Sequence, residues 1–267
     1  MTTPELQRIR FGADGAELPY FRAGSGPDLV FFHGAGLSDR WLPLYDRLAE
    51  NFTVTVPQSP GFGDSVRPAW MRSVDDLALL QADALAALGV TTFHAVGHSG
   101  GAPVAASVAA LLPERVLSLT VLAPAPLPLV TPGDGDRLDW ANLPEDVDMD
   151  HYSFNGNQAA YPEYRDADED GQNIGPVQDE WSDPEAYDWR GVPSLYRRLA
   201  RIRGPRQVLI PDDDLLFTPE SAEIWAHWLG DAPTVRIVGD AYPTGHLLIV
   251  QEPDKIAAAV ARLAATA

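Results

Sequence analysis

Gly97-His98-Ser99-Gly100-Gly101 is the stretch of this chain best suited to covalent chemistry. A serine hydroxyl attacks a carbonyl only when a base can reach it, so the side chain must stand clear of the backbone. The flanking sequence provides for this. Phe93-His94-Ala95-Val96 is a short apolar run of strand character, and Ala102 to Leu112 is a small-residue run of helical character. A sharp turn between them puts Ser99 at the apex in strained dihedrals. Only small neighbours fit such a turn, and Gly97, Gly100 and Gly101 meet that demand. This is the G-x-S-x-G nucleophile elbow in its strand–turn–helix context.

A serine nucleophile needs a base and an acid to orient it, and both are expected downstream. Gln207-Val208-Leu209-Ile210 reads as a buried strand and runs into Pro211-Asp212-Asp213-Asp214. A second strand, Thr234 to Val238, is followed by a turn carrying Gly245-His246. The chain order Ser99, Asp214, His246 is that of one known triad geometry. Each member would sit on a loop past the carboxyl end of a strand, where open parallel sheets bind ligands.

Four motifs in order carry a family resemblance. The chain resembles α/β-hydrolase fold proteins of the capped esterase, lactonase and C–C hydrolase type, over nearly its whole length. Phe31-Phe32-His33-Gly34-Ala35-Gly36 resembles the H-G-x-G oxyanion loop, and Pro60-Gly61-Phe62-Gly63-Asp64-Ser65 resembles the loop after the fourth strand. Asp212 to Pro219 resembles the acid loop and Gly245-His246 the histidine loop. Gln58 departs from the pattern, since many relatives carry aspartate there as a loop-structuring residue.

The resemblance implies roles. Ser99 attacks an acyl carbonyl, His246 is the base and then the acid, and Asp214 fixes the histidine tautomer. The backbone N–H groups of Gly100 and Ala35 are the expected oxyanion donors. Asp212 and Asp213 adjoin Asp214 and remain alternatives for the acid, with register against Pro219 favouring Asp214. Neither a cofactor nor a metal is required. The expected activity is cleavage of a carboxylic ester, lactone or related small acyl compound. A ligand-sensing protein or lyase on the same scaffold is the alternative, because fold alone does not decide function. Among the other histidines, His33 is expected to structure the oxyanion loop and His94 to be buried in a strand. His98 either faces the pocket or packs behind it. His151 and His227 have no evident role.

The elements that must position these residues follow from periodicity. Leu6 to Phe11 and Glu17 to Ala23 read as a strand pair around Gly12-Ala13-Asp14-Gly15. Further strands are expected at Leu29–Phe32, Phe52–Val56 and Val116–Leu122, and helices at Trp41–Glu50, Val74–Leu88, Pro219–Leu229 and Pro253–Leu263. The alternation predicts an α/β fold, a mostly parallel doubly wound sheet of about eight strands with helices on both faces. Residues 1–125 and 204–267 form the expected core. Residues 126–203 break the alternation and are expected to be an inserted lid after the sixth strand, rich in aromatics, with a helix at Val192 to Ile202. On this reading the triad lies wholly outside the lid.

Composition narrows the classes further. An apolar content of 45% suits a full core, and no run is long and apolar enough for a membrane span. With no apolar signal region in Met1 to Arg10, a cytoplasmic location is the default expectation. The net charge of −19 argues against nucleic acid, which needs a basic face. Between Asp134 and Asp188 stand 17 acidic residues against Arg137 and Arg165, so this stretch carries −15 of the −19. A solvated surface is the plain reading, and an entrance that discriminates by substrate charge the sharper one. The expected partner is a small acyl substrate, and the sequence leaves the oligomeric state open.

Overall fold

Strands that are apolar on both sides must be covered on both sides, and this decides the architecture. The computed structural model describes residues 3–35, 37–127, 137–138, 147–164 and 195–267. Eight strands form one sheet: β1 (Gln7–Phe11), β2 (Ala16–Gly24), β3 (Asp28–Phe32), β4 (Thr53–Pro57), β5 (Phe93–His98), β6 (Val116–Leu122), β7 (Arg206–Pro211) and β8 (Thr234–Ile237). Their spatial order is β1-β2-β4-β3-β5-β6-β7-β8. The hairpin β1–β2 joins β4 antiparallel, and every other pairing is parallel. The mostly parallel α/β sheet expected from the sequence is therefore the observed one.

Side-chain alternation sorts the core into two layers. Val30, Phe32, Ala95, Val121 and Val208 pack on one face with α2 (Val74–Ala87), α3 (Gly101–Leu111), α5 (Leu195–Leu199) and α6 (Pro219–Trp228). Their chain neighbours Leu29, Phe31, Val96, Leu122 and Leu209 pack on the other with α1 (Pro43–Ala49), α7 (Leu248–Gln251) and α8 (Pro253–Ala264). The period of two along each strand produces both faces from one segment.

Local signals set the helix ends. Ser73 Oγ accepts the Asp76 N–H at 3.2 Å, and Thr218 Oγ1 accepts the Ser221 N–H at 3.4 Å ahead of Pro219. The expected helix at Trp41 to Glu50 is shorter, Pro43–Ala49, because Pro43 opens it and the Trp41 indole instead donates to Asp46 at 3.0 Å. The short α7 is an element that periodicity did not reveal.

Within residues 126–203, Leu195, Leu199 and Ile202 are buried in the first core layer and Phe154 in the second. Helix α4 (Met149–Ser153) and two short 3₁₀ turns lie between residues 149 and 164. Of the expected helix at Val192 to Ile202, α5 is the part that forms among the described residues. Trp140, Trp181, Tyr187 and Trp189 lie outside the described residues. Among the described residues, no helix is long and apolar enough to cross a membrane.

Candidate active site

The strand order reverses between β3 and β5, which are neighbours although β4 lies between them in sequence. A crevice at the carboxyl ends of strands is expected at such a switch point. The two strands end there in His33-Gly34 and His98-Ser99.

Ser99 has φ of +53°, the left-handed region that non-glycine residues seldom occupy. The surrounding backbone fixes it there. Its N–H donates to the Leu122 carbonyl at 3.0 Å, and its carbonyl accepts from Ala102 at 3.0 Å and Ala125 at 3.1 Å. A conformation costing about 1–3 kcal/mol persists only when over-determined in this way. Small residues are required around it. A Cβ on Gly34 would lie 2.6 Å from Ser99 Cβ, and one on Gly101 would lie 2.0 Å from the Phe32 carbonyl oxygen. The loop after β3 is thereby pressed against the elbow.

His33 locks that loop. Its Nε2 accepts the Ser59 N–H at 2.8 Å, so Nδ1 carries the proton and donates to the Gly34 carbonyl at 2.7 Å. Burial pushes its pKa down to about 4, which keeps the ring neutral. Gln58, at the position of the departure noted above, is buried. It donates to the Ser38 carbonyl at 3.0 Å and accepts the Asp64 N–H at 3.3 Å, so it too joins loops together. Among the described residues, the Ala35 and Gly100 amides have no protein acceptor. Ala35 is exposed, and Gly100 is the N-cap of α3, where the helix dipole favours negative charge.

His246 meets both of its expected partners. Its Nδ1 lies 2.9 Å from Asp214 Oδ2, and its Nε2 lies 2.8 Å from Ser99 Oγ. A carboxylate only accepts, so Nδ1 carries the proton and Nε2 offers its lone pair to the serine hydroxyl. The Phe217 ring lies 5.0 Å from the imidazole, nearly perpendicular to it. Ser99 and His246 are buried, at 9% and 5% exposure, so solvent competes little for either.

The three adjacent aspartates separate by contact. Asp214 Oδ1 accepts the Leu216 and Phe217 N–H groups at 2.8 and 3.2 Å, which aims Oδ2 at His246. Asp212 turns to the loop after β8 and accepts from Gly239 at 2.8 Å and Thr244 at 3.3 Å. Asp213 faces outward and pairs with Arg137 at 2.8 Å. A small hollow of about 30 Å³ touches Asp214 and Phe217 from this side, between Arg137 and Arg236, and does not include Ser99.

Other histidines fall into place. His94 Nδ1 and Ser118 Oγ are 2.8 Å apart inside the sheet. His98 packs behind the site with its Nε2 2.9 Å from the His246 carbonyl oxygen. His227 is exposed and lies 3.2 Å from Asp231, and His151 is exposed in α4.

The segment from Asp148 to Tyr164 reaches the site directly, a contribution the sequence did not disclose. The Ser153 carbonyl accepts the Leu247 N–H at 2.9 Å, and the Phe154 carbonyl accepts from Gln251 Nε2 at 3.4 Å. Gln251 Oε1 in turn accepts the Gly245 N–H at 2.8 Å. A Cβ on Gly245 would lie 2.7 Å from the Asn155 amide nitrogen, so only glycine permits this approach. Met149 and Tyr152 pack with Leu216 and Phe217, and Arg40 donates to the Glu163 carbonyl at 2.8 Å. The segment is thus a strap across the acid loop, the histidine loop and the residues after β3, and does not stand apart from Ser99, Asp214 and His246. Asn155-Gly156, a turn-forming pair, was its one local signal.

This sheet order with a serine elbow closing β5 defines a class. The family described as alpha/beta hydrolase fold matches residues 27–161, and the chain belongs to it. Over 113 residues it is 37% identical to the dihydrolipoyllysine-residue acetyltransferase component of the acetoin cleaving system of Cupriavidus necator, covering 42% of this chain and 30% of that protein. Over 107 residues it is 35% identical to the pimeloyl-acyl-carrier-protein methyl ester esterase of Aeromonas salmonicida, covering 39% and 41%. The matches therefore span less than half the length of either curated relative. The crystal structure of a membrane phospholipase A, a bacterial virulence factor, has the same fold, with a TM-score of 0.73 and 24% identity over 99% of this chain and 87% of that one.

Proposed function

We propose that this protein is a serine hydrolase that cleaves a carboxylic ester, lactone or related small acyl compound. The observation that carries the reading is the unbroken chain from Asp214 Oδ2 through His246 to Ser99 Oγ, with contacts of 2.9 and 2.8 Å. The esterase among its relatives agrees with it.

Each step then has an atom to perform it. Ser99 Oγ attacks the acyl carbonyl carbon as its proton passes to His246 Nε2. The carbonyl oxygen becomes an oxyanion, facing the Ala35 and Gly100 amides. Asp214 stabilises the imidazolium without taking its proton. Collapse expels the alcohol, which receives that proton from Nε2 and leaves an acyl-Ser99 ester. Water then attacks the acyl carbon as it gives a proton to the same nitrogen; collapse breaks the bond to Ser99 Oγ, which takes that proton back from Nε2, and the acid is released. No step calls for a cofactor or metal. Residues 1–125 and 204–267 supply the reacting groups, and residues 126–203 bound the pocket as a lid that sorts substrates by size.

The test pairs covalent labelling with turnover. A fluorophosphonate should modify Ser99, and p-nitrophenyl acetate or butyrate should be hydrolysed. Labelling without turnover of any ester would favour a non-hydrolytic relative on the same scaffold. Absence of labelling in folded protein would overturn the reading.

A further inference from the structure

We propose that His98 is a positioning residue for His246, holding the backbone carbonyl of that residue while its chain neighbour Ser99 meets the ring. The inference rests on the serine hydrolase reading. His98 is the last residue of β5, buried, and paired in register with Leu122 of β6. Its Nε2 lies 2.9 Å from the His246 carbonyl oxygen. A carbonyl only accepts, so Nε2 carries the proton. The two ring centroids are 5.1 Å apart, tilted by 42°.

The last residue of one central strand and the elbow residue after it therefore grip two ends of one loop residue. Ser99 meets Nε2 of His246 and His98 meets its carbonyl oxygen. His246 follows β8, a four-residue strand at the sheet edge with exposed positions, which is a poor reference for sub-ångström placement. The His98 bond refers the base to the strand that carries the nucleophile. This matters because misplacement by about 1 Å can cost on the order of 10²-fold in rate.

The positioning group must also stay uncharged, since a cation there would oppose the imidazolium that forms on His246. Burial, and after it the neighbouring His246, push the His98 pKa down to about 3. The hydrogen bond to the His246 carbonyl, and after it Asp214, act in the opposite sense, and His33 acts in the same sense as burial. The ring is therefore neutral around neutral pH.

Two substitutions separate positioning from packing. His98→Leu fills the space without a donor, and His98→Gln restores an amide donor near the Nε2 position. For p-nitrophenyl acetate, kcat should fall about 10²-fold in His98→Leu with KM little changed, and His98→Gln should recover to within about tenfold of wild type. The fluorophosphonate labelling rate should follow kcat. His98→Met serves if leucine does not fold.

A second readout does not depend on turnover. The downfield proton resonance of the His246 Nδ1–H···Asp214 bond should be present in wild type and His98→Gln and lost or broadened in His98→Leu. Equal impairment of the two variants, wild-type kcat in His98→Leu, or an unchanged resonance there would overturn the proposal. If wild-type Ser99 takes no label while the resonance still depends on His98, the hydrolase reading fails and the positioning role stands.

Discussion

Ser99 and His246 are held in place by different means. Ser99 sits at the end of a central strand, and backbone hydrogen bonds to Leu122, Ala102 and Ala125 define its position. His246 sits in a loop beyond an edge strand, and side chains and a distant strap define its position. Asp214 holds its ring, His98 its carbonyl, Asp212 ties down Thr244, and Ser153 accepts from Leu247. Ser99 inherits the rigidity of the sheet. His246 depends on three segments far apart in sequence, any one of which can disturb it.

Ser99→Ala breaks the comparison at its centre. Turnover of p-nitrophenyl esters should fall on the order of 10⁴-fold or more, while the melting temperature stays close to wild type, because alanine is smaller and the backbone bonds remain. Retained activity in rigorously purified protein would sink the assignment.

On the base's side, Asp214→Asn should lower kcat about 10³- to 10⁴-fold by favouring the wrong tautomer of His246. Asp212→Asn keeps an oxygen for Gly239 and Thr244 and should cost far less. Asp213→Asn breaks a pair with both side chains at least a third exposed, worth about 0–1 kcal/mol at most, and should leave kcat near wild type. Kinetics on the three variants rank them, and a leading effect at Asp212 would refute the assignment of the acid.

Gly245→Ala tests the strap. Its Cβ would meet the Asn155 nitrogen at 2.7 Å and the Ser153 carbonyl oxygen at 2.8 Å, both backbone atoms that cannot swing away. Stability should fall by about 1–3 kcal/mol. kcat should fall about 10²-fold as the residue beside His246 shifts. Denaturant melts and steady-state kinetics measure the two effects. For the same reason, replacing residues 126–203 by a Gly-Ser linker should remove the strap along with the sorting by size, so that small esters are impaired as well as bulky ones. Sparing of small esters would assign the segment to substrate sorting alone.

The smallest effect at neutral pH concerns the loop beside the nucleophile. His33 binds its proton at about pH 4 when folded and near 6.5 when unfolded. The unfolded chain therefore binds more protons between those values, and stability falls as pH falls. Above about pH 7 the contribution is flat, and by pH 4 it has removed roughly 3 kcal/mol. His33→Gln, with no titrating proton, should have a shallower slope of melting temperature between pH 7 and 4. An unchanged slope would show that folding does not lower the His33 pKa.

The elements around Ser99 were legible because their signals are local. The apolar run, the glycines and the small-residue helix lie within twenty residues of one another, and continuous apolar runs alternating with helical patterns predicted strands covered on both faces. The order of the loops carrying Asp214 and His246 was legible for the same reason. Sequence alone favoured Asp214 among three aspartates by register only, gave His98 two possible places, and read residues 126–203 as a lid bounding the pocket without disclosing that Asp148–Tyr164 contacts the loops carrying Asp214 and His246. Only the tertiary structure decided these points. Each depends on hydrogen bonds between segments tens to more than a hundred residues apart, such as His98 to His246 and Ser153 to Leu247. Propensity and periodicity constrain a segment's own backbone, whereas the partner a buried donor finds is set by how loops are juxtaposed once the sheet has formed.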